Sequence, residues 1–271
     1  MCRPRGIFNN SQSAPSPSRA IAPGTLFMEN NPFSGVKTCD SYRHIFELFL
    51  FLTALAVVLS LGAMILFNKI LELGADYAEV SAFIQAAVYT LICLRVLKDR
   101  GVDFKAAWRD WNAKAGSDAL AAFKYFAGYL LIIGAMLGLV MLAVRYSGVA
   151  EGVLVRRLGG GRETLAAIQT AMGVSRLELA LRLFTVCVLT PIGEELVFRR
   201  IIYATLRNKM SFLRALFASS VIFAVTHGAA SLLVFPISLL LGYVYEKKRR
   251  LPVNIMLHGF INLFVMAVKL T

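Results

Sequence analysis

The run Ile45 to Phe67, IFELFLFLTALAVVLSLGAMILF, carries one charged residue, Glu47, close to one end. A helix needs about 20 apolar residues to cross the hydrocarbon core of a bilayer, and inside that core each backbone N–H and C=O must be satisfied within the segment. The run therefore reads as a transmembrane helix. Similar apolar stretches follow at Val80 to Leu97, Tyr125 to Val144, Leu179 to Thr190, Phe212 to Thr226, Ala229 to Tyr245 and Leu251 to Leu270. With 58% hydrophobic and 17% charged residues, the 271-residue chain is too apolar for an ordinary water-soluble domain. The expected fold is all-α, a polytopic membrane protein of seven or eight transmembrane helices over residues 45–271. Pro191 should kink or divide the fourth helix, because it lacks a backbone donor and clashes with the preceding turn; that break decides between seven and eight.

Residues 1–44 are rich in Ser, Pro and Asn and hold no apolar stretch of signal-peptide length, so a disordered tail is expected, with Met28 an alternative start to Met1. The net charge of +13 comes from basic residues placed in short segments between apolar runs. That pattern orients helices against anionic lipid, and no nucleic-acid recognition motif accompanies it. The distribution puts Arg43, Lys98, Arg100, Lys105, Arg109 and the run EKKRR (Glu246 to Arg250) inside, and the acidic NKILELGADYAE loop outside. Arg145 to Arg182 is basic yet falls outside in a seven-span scheme, unless a re-entrant segment intervenes. Trp108 and Trp111 suit an interfacial loop or short helix. Within Tyr146 to Arg176, LGGGRE reads as a hinge, and Leu165, Ile168 and Met172 share a face of a short amphipathic helix that serves either packing or gating. The cysteines at 2, 39, 93 and 187 have no CxxC spacing and indicate neither a disulfide framework nor a thiolate metal site; Cys93 and Cys187 read as small packing residues. Gly173 to Ser175 reads as a turn, not a serine nucleophile. No internal repeat is visible, which counts against a transporter built from paired halves.

Ionisable groups at membrane depth cost about 2.5 to 3.5 kcal/mol each on insertion scales, so they persist where they are paired, hydrated or needed. LTPIGEELVFRRII, Leu189 to Ile202, contains four of them. Glu195 and Arg199 are four apart on a helix and can pair. Glu194, rotated by about 100°, needs another partner, and Arg200 is expected to reach the surface. Only three histidines occur in the chain. His258 and Asn262 lie at i and i+4, as do Phe223 and His227, so each pair projects from one helical face. Taken singly, each histidine is equally well read as a hydrogen-bonded packing residue.

Together the three motifs, Glu194-Glu195-x-x-x-Arg199, Phe223-x-x-x-His227 and His258-x-x-x-Asn262, resemble the CPBP intramembrane proteases, which include type II CAAX prenyl proteases and bacteriocin-processing, Abi-like enzymes. All three are intact and in the family's order across Leu177 to Leu270. The resemblance implies a protease with its active site in a membrane-embedded cavity. Glu194 and His227 would activate a water, His258 and Asn262 would stabilise the oxyanion, and Glu195, Arg199 and Phe223 would support them. Zinc is a possible cofactor, since two histidines and a glutamate are a zinc ligand set; the absence of HExxH and the poor ligand quality of Asn262 favour a metal-free glutamate mechanism. The expected partners are the lipid bilayer and a membrane-associated peptide or protein substrate, in a bacterial inner (plasma) membrane. Two other classes stay open: a non-catalytic scaffold or bacteriocin-immunity protein, and an ion or proton pathway.

Overall fold

The computed structural model describes residue 39 and residues 41–72, 76–147 and 176–270. Among these all regular structure is helical, arranged in seven rods. The first is α1, Tyr42–Ile65, prolonged by a π-helical turn, Leu66–Ile70. It starts slightly ahead of Ile45 because Ser41 caps it, accepting from the His44 N–H. Next come α2, Tyr77–Asp99, capped by Asp76, and α3, Phe104–Ser147. The fourth rod joins α4, Arg176–Phe184, α5, Thr190–Glu194, and α6, Ala204–Arg207, through two π-helical stretches, Thr185–Leu189 and Glu195–Tyr203. The last three rods are α7, Phe212–Val225, α8, Ser231–Lys248, and α9, Leu251–Leu270; a 3₁₀ turn, Gly228–Ala230, separates α7 from α8.

The chain is an integral membrane protein, and four described helical stretches are long and apolar enough to cross a bilayer: Tyr42–Ile70, Tyr77–Asp99, Phe104–Ala143 and Leu251–Val268. Leu131, Ile132, Leu139 and Met141 of α3 are exposed, as are Val58 and Ile65 of α1. Apolar surface of this extent is what lipid covers. The hinge, the amphipathic segment with Leu165, Ile168 and Met172, and almost all of the N-terminal tail lie outside the described residues.

Three expectations need correction. Trp108 and Trp111 are not on a separate element before a span; α3 runs unbroken through both, their rings edge to face at 5.5 Å. Pro191 does not divide the fourth rod. The backbone stays helical on both sides of it, because the preceding turns widen to π geometry and make room for the ring. The same rod is central. Every residue from Glu195 to Tyr203 is buried, so Arg200, expected at the surface, is 1% exposed.

Polar contacts lock the ends of the rods. Arg250, in the turn between α8 and α9, donates through Nε and Nη2 to both carboxylate oxygens of Asp118 at 2.6 Å each, and through Nη1 to Asp110 at 2.7 Å. The two basic segments at 98–109 and 246–250, assigned to one side on charge, thus meet at one end of the bundle. At the same end Glu246 accepts from Tyr203 at 2.8 Å and Arg207 at 3.0 Å. At the other end Arg182 pairs with Glu79. Charge-assisted hydrogen bonds to a partly buried fork contribute about 1.5 to 3 kcal/mol. Replacing Arg250 by Ala is therefore expected to destabilise the protein by roughly 2 kcal/mol, read as a lowered midpoint of thermal unfolding in detergent, with a smaller effect for Arg43→Ala in its exposed helical pair with Glu47.

Candidate active site

Glu194 ends α5 and Glu195 opens the π-helical stretch, so the two carboxylates leave adjacent positions of a buried rod in different directions. Glu195 is fully buried and faces three donors. Its Oε1 accepts from His258 Nδ1 at 3.0 Å, its Oε2 accepts from Asn254 Nδ2 at 3.1 Å, and Arg199 Nε lies 3.3 Å from Oε2. Arg199, also fully buried, donates through Nη2 to Ser238 Oγ at 3.2 Å and to the Ser238 carbonyl at 3.3 Å. A carboxylate stripped of water is tolerated only when its lone pairs are met in this way. The expected i,i+4 pair is present, and it is one part of a network that spans the rod, α8 and α9.

Glu194 has the partners its sequence position left open. His258 Nε2 is 3.6 Å from its Oε2, and His227 Nε2 is 3.9 Å from its Oε1. His258 therefore stands between the two glutamates, Nδ1 toward one and Nε2 toward the other. His227 follows α7, where Nδ1 lies 2.7 Å from the Phe223 carbonyl. A carbonyl can only accept, so in the neutral ring the proton sits on Nδ1 and the Nε2 lone pair faces Glu194. Phe223 covers the site: its ring is 4.6 Å from that of His227, 6.0 Å from that of His258 and 5.3 Å from the Arg199 guanidinium. Distances of 3.6 and 3.9 Å exceed direct hydrogen bonding and leave each pair open to a water bound beside it that bridges both groups.

Asn262 comes from the same face of α9 but engages the rod. Its Nδ2 donates to the Val186 carbonyl at 2.8 Å. The reason lies in Pro191. In the π turn the Thr190 N–H returns to the Thr185 carbonyl, and the next donor in that pattern would be the N–H of residue 191, which proline lacks. Asn262 supplies the missing donor to Val186 and keeps its second amide hydrogen. Close packing accompanies this contact. A Cβ on Gly259 would come within 2.5 Å of the Cys187 carbonyl oxygen, and one on Gly193 within 2.9 Å of the Ala86 carbonyl oxygen, so both positions require glycine for helix approach.

All seven sequence-chosen residues, Glu194, Glu195, Arg199, Phe223, His227, His258 and Asn262, are thus found in one region. Asn254 and Ser238 were missed. Asn254, His258 and Asn262 recur at every fourth position of an apolar helix, and that polar periodicity was the available signal for the first; Ser238 carried none. Glu194, His227 and His258 bring together donor types that zinc accepts, but no group of three His, Cys, Asp or Glu among the described residues is arranged to hold a metal ion.

The family description Type II CAAX prenyl endopeptidase Rce1-like matches residues 176–264, the span of the network just described. A Bacillus subtilis (strain 168) protein named "Putative membrane peptidase YdiL" is 30% identical over 197 residues, 71% of each chain. The chain belongs to the CPBP family of intramembrane proteases. A second CPBP relative, "UPF0177 protein YxdF" of Lactococcus lactis subsp. lactis (strain IL1403), is 25% identical over 131 residues, 46% of this chain and 72% of that one. No solved structure matches.

The Pro191 to Asn262 relationship gives a double-substitution test in this CPBP protein. Asn262→Leu orphans the Val186 carbonyl and is expected to cost about 1 to 3 kcal/mol. Pro191→Ala restores a backbone donor beneath it, so the loss from Asn262→Leu should shrink in the Pro191→Ala background. Thermal unfolding of the four proteins measures the coupling, and strict additivity would contradict the account.

Proposed function

We propose that this protein is an intramembrane endopeptidase that hydrolyses a peptide bond of a membrane-associated protein or peptide with a water activated by Glu194 and His227. The observation that carries this reading is the convergence of Glu194, His227 and His258 from three separate elements, with both Nε2 atoms within 4 Å of the carboxylate. A water placed between Glu194 and His227 can give its proton to the carboxylate or to the His227 Nε2 lone pair as its oxygen adds to the scissile carbonyl. The proton then passes to the leaving amine as the C–N bond breaks, which leaves a carboxylic acid and an amine and returns the site to its starting state; the acid ionises once it gives its remaining proton to solvent. Negative charge forms on the carbonyl oxygen only during the reaction, and fixed donors in a site poor in water act on that charge most strongly.

His258 is suited to be such a donor. Glu195 fixes its ring through Nδ1, and its Nε2 is turned toward the reacting side; flanked by two carboxylates, it donates from Nε2 when it carries both protons. Asn262 retains one amide hydrogen for the same oxyanion while the other holds Val186. Glu195, Arg199 and Asn254 position His258 and the rod and do not touch the substrate. Glu194, His227 and His258 are zinc-type donors but are not arranged around one metal position; we favour the metal-free route, in which their own contacts carry the proton transfers. With relatives in Bacillus and Lactococcus, the setting we propose is a bacterial plasma membrane, and a bacterial peptide or protein substrate is favoured over a prenylated CAAX tail.

Glu194→Gln keeps the shape of the side chain and removes its basicity. Loss of a positioned general base lowers turnover by roughly 10²- to 10⁴-fold. Membrane-associated peptides of cells carrying wild type or Glu194→Gln, compared by mass spectrometry, should show uncut substrate accumulating in the variant while the purified variant unfolds at the wild-type temperature. Identical peptide profiles with an unchanged cellular phenotype would instead indicate a scaffold or immunity role.

A further inference from the structure

Hydrolysis within a bilayer needs a route for water, and the network around Glu195 offers none: Glu195 and Arg199 are fully buried and His258 is 5% exposed. His227 is the open member, with 28% of its side chain exposed. Thr226 precedes it, its Oγ1 3.3 Å from His227 Nδ1, and Thr226 also lines a cavity of about 260 Å³ between α1 and α2. That cavity is unlike a lipid crevice. From α2 it receives Tyr77, Ser81, Gln85 and Tyr89, four residues at i+4 steps on one face. From α1 it receives Thr53 and Ser60 at i and i+7, set among Phe49, Ala56 and Val57, with Thr53 Oγ1 3.5 Å from the Tyr89 hydroxyl at the inner end.

Two apolar helices thus turn polar stripes toward each other at a depth where each such group is costly unless it finds a partner or water. The stripe begins at Tyr77, where α2 starts beside the α1–α2 connection, and at 1.5 Å per residue runs about 18 Å to Tyr89. Tyr89 forms the floor, where its Cβ would lie 3.1 Å from a Cβ built on Gly193, the residue before Glu194. The far side of the site ends in the 3₁₀ turn Gly228–Ala230.

We propose that the groove between α1 and α2 is a water-filled vestibule that supplies the Glu194 and His227 centre from the end of the bundle bearing the α1–α2 connection. It takes water, which Thr53, Ser81, Gln85 and Tyr89 can hydrogen-bond along its length. The assignment of water as co-substrate rests on the hydrolase reading; the hydration of the groove does not.

Accessibility of single cysteines to a negatively charged, membrane-impermeant methanethiosulfonate tests the proposal in the full-length protein in native membranes, with Cys2, Cys39, Cys93 and Cys187 replaced by Ala. Ser81→Cys and Gln85→Cys report the groove. Val58→Cys and Leu91→Cys, whose positions are 65% and 66% exposed on lipid-facing surfaces, are the apolar controls, and Glu72→Cys marks the side of the connection. The groove cysteines should react at least tenfold faster than the controls, from the side on which Glu72→Cys reacts, and Val57→Trp in the wall should slow Gln85→Cys by a similar factor. Reaction no faster than the controls, or only from the opposite side, would overturn the vestibule. Variants enter the comparison only if they unfold at the parent temperature, and a second, neutral thiol reagent of the same size separates a dry groove from one that repels anions. Labelling should persist in Glu194→Gln. Labelled grooves without Glu194-dependent peptide cleavage would remove the hydrolase reading alone, whereas cleavage with unreactive grooves would remove the vestibule alone.

Discussion

One carboxylate with no access to water organises the C-terminal half of the protein. Glu195 has Arg199, Asn254 and His258 within 3.3 Å, and these come from the central rod and α9, while Arg199 continues to Ser238 of α8. Burying the charges in hydrocarbon would be prohibitive singly, and a buried ion pair recovers its desolvation cost only if its remaining donors and acceptors are met. The arrangement therefore fixes α8 and α9 against the rod in one register. A shift of α9 by one residue would turn Asn254 and His258 away together and leave Glu195 facing apolar side chains. Stability from such a network is modest, but the penalty for any alternative packing is large, and it is the penalty that specifies the site.

The register matters because His258 is shared. Its Nδ1 is held by Glu195 and its Nε2 faces Glu194, so whatever fixes Glu195 also sets the geometry at Glu194. Two adjacent glutamates can divide the work in this way only if the backbone points them differently. The π-helical stretch starting at Glu195, preceded by another that absorbs Pro191, provides that divergence. π turns are rare and occur often at functional sites. Here the widened turn also presents the Val186 carbonyl to Asn262, so a proline that would have broken an ordinary helix becomes a docking point for α9.

The legible part of the fold was the part written locally. Apolar run length marked α1, α2, α7, α8 and α9 to within a few residues, and i,i+4 spacing grouped Glu195 with Arg199, Phe223 with His227 and His258 with Asn262. Run length failed where helix continues through polar sequence: nothing in DRGVDFKAAWRDWNAKAG announces that the residues after Asp103 are the first turns of a 44-residue helix, since exposed charge is compatible with a loop or with a helix beyond the membrane. Arg200 was misjudged for a related reason. Burial of a residue depends on how many neighbours surround its helix, and the central position of the rod is a property of the whole bundle. Long-range pairings such as Arg250 with Asp118, or Arg199 with Ser238, have no local signature because either partner alone looks like an ordinary surface or packing residue.

The polar stripes on α1 and α2 show how weak signals acquire meaning only in three dimensions. Serine, threonine and tyrosine scattered through apolar helices are unremarkable one at a time, since a hydroxyl can return to its own backbone, as Ser60 does to the Ala56 carbonyl at 2.7 Å and Ser81 to that of Ala78 at 3.1 Å. Such self-satisfaction makes each residue tolerable and uninformative. What distinguishes the pair of helices is that their hydroxyl-bearing faces meet each other and end at Gly193, instead of dispersing around the helix. Exclusion of polar groups from hydrocarbon turns such faces toward each other, where each group is met by a partner, as with Thr53 and Tyr89 at 3.5 Å, or by water. Alignment follows if the shared space is wet, as the hydrolysis proposed for Glu194 and His227 requires.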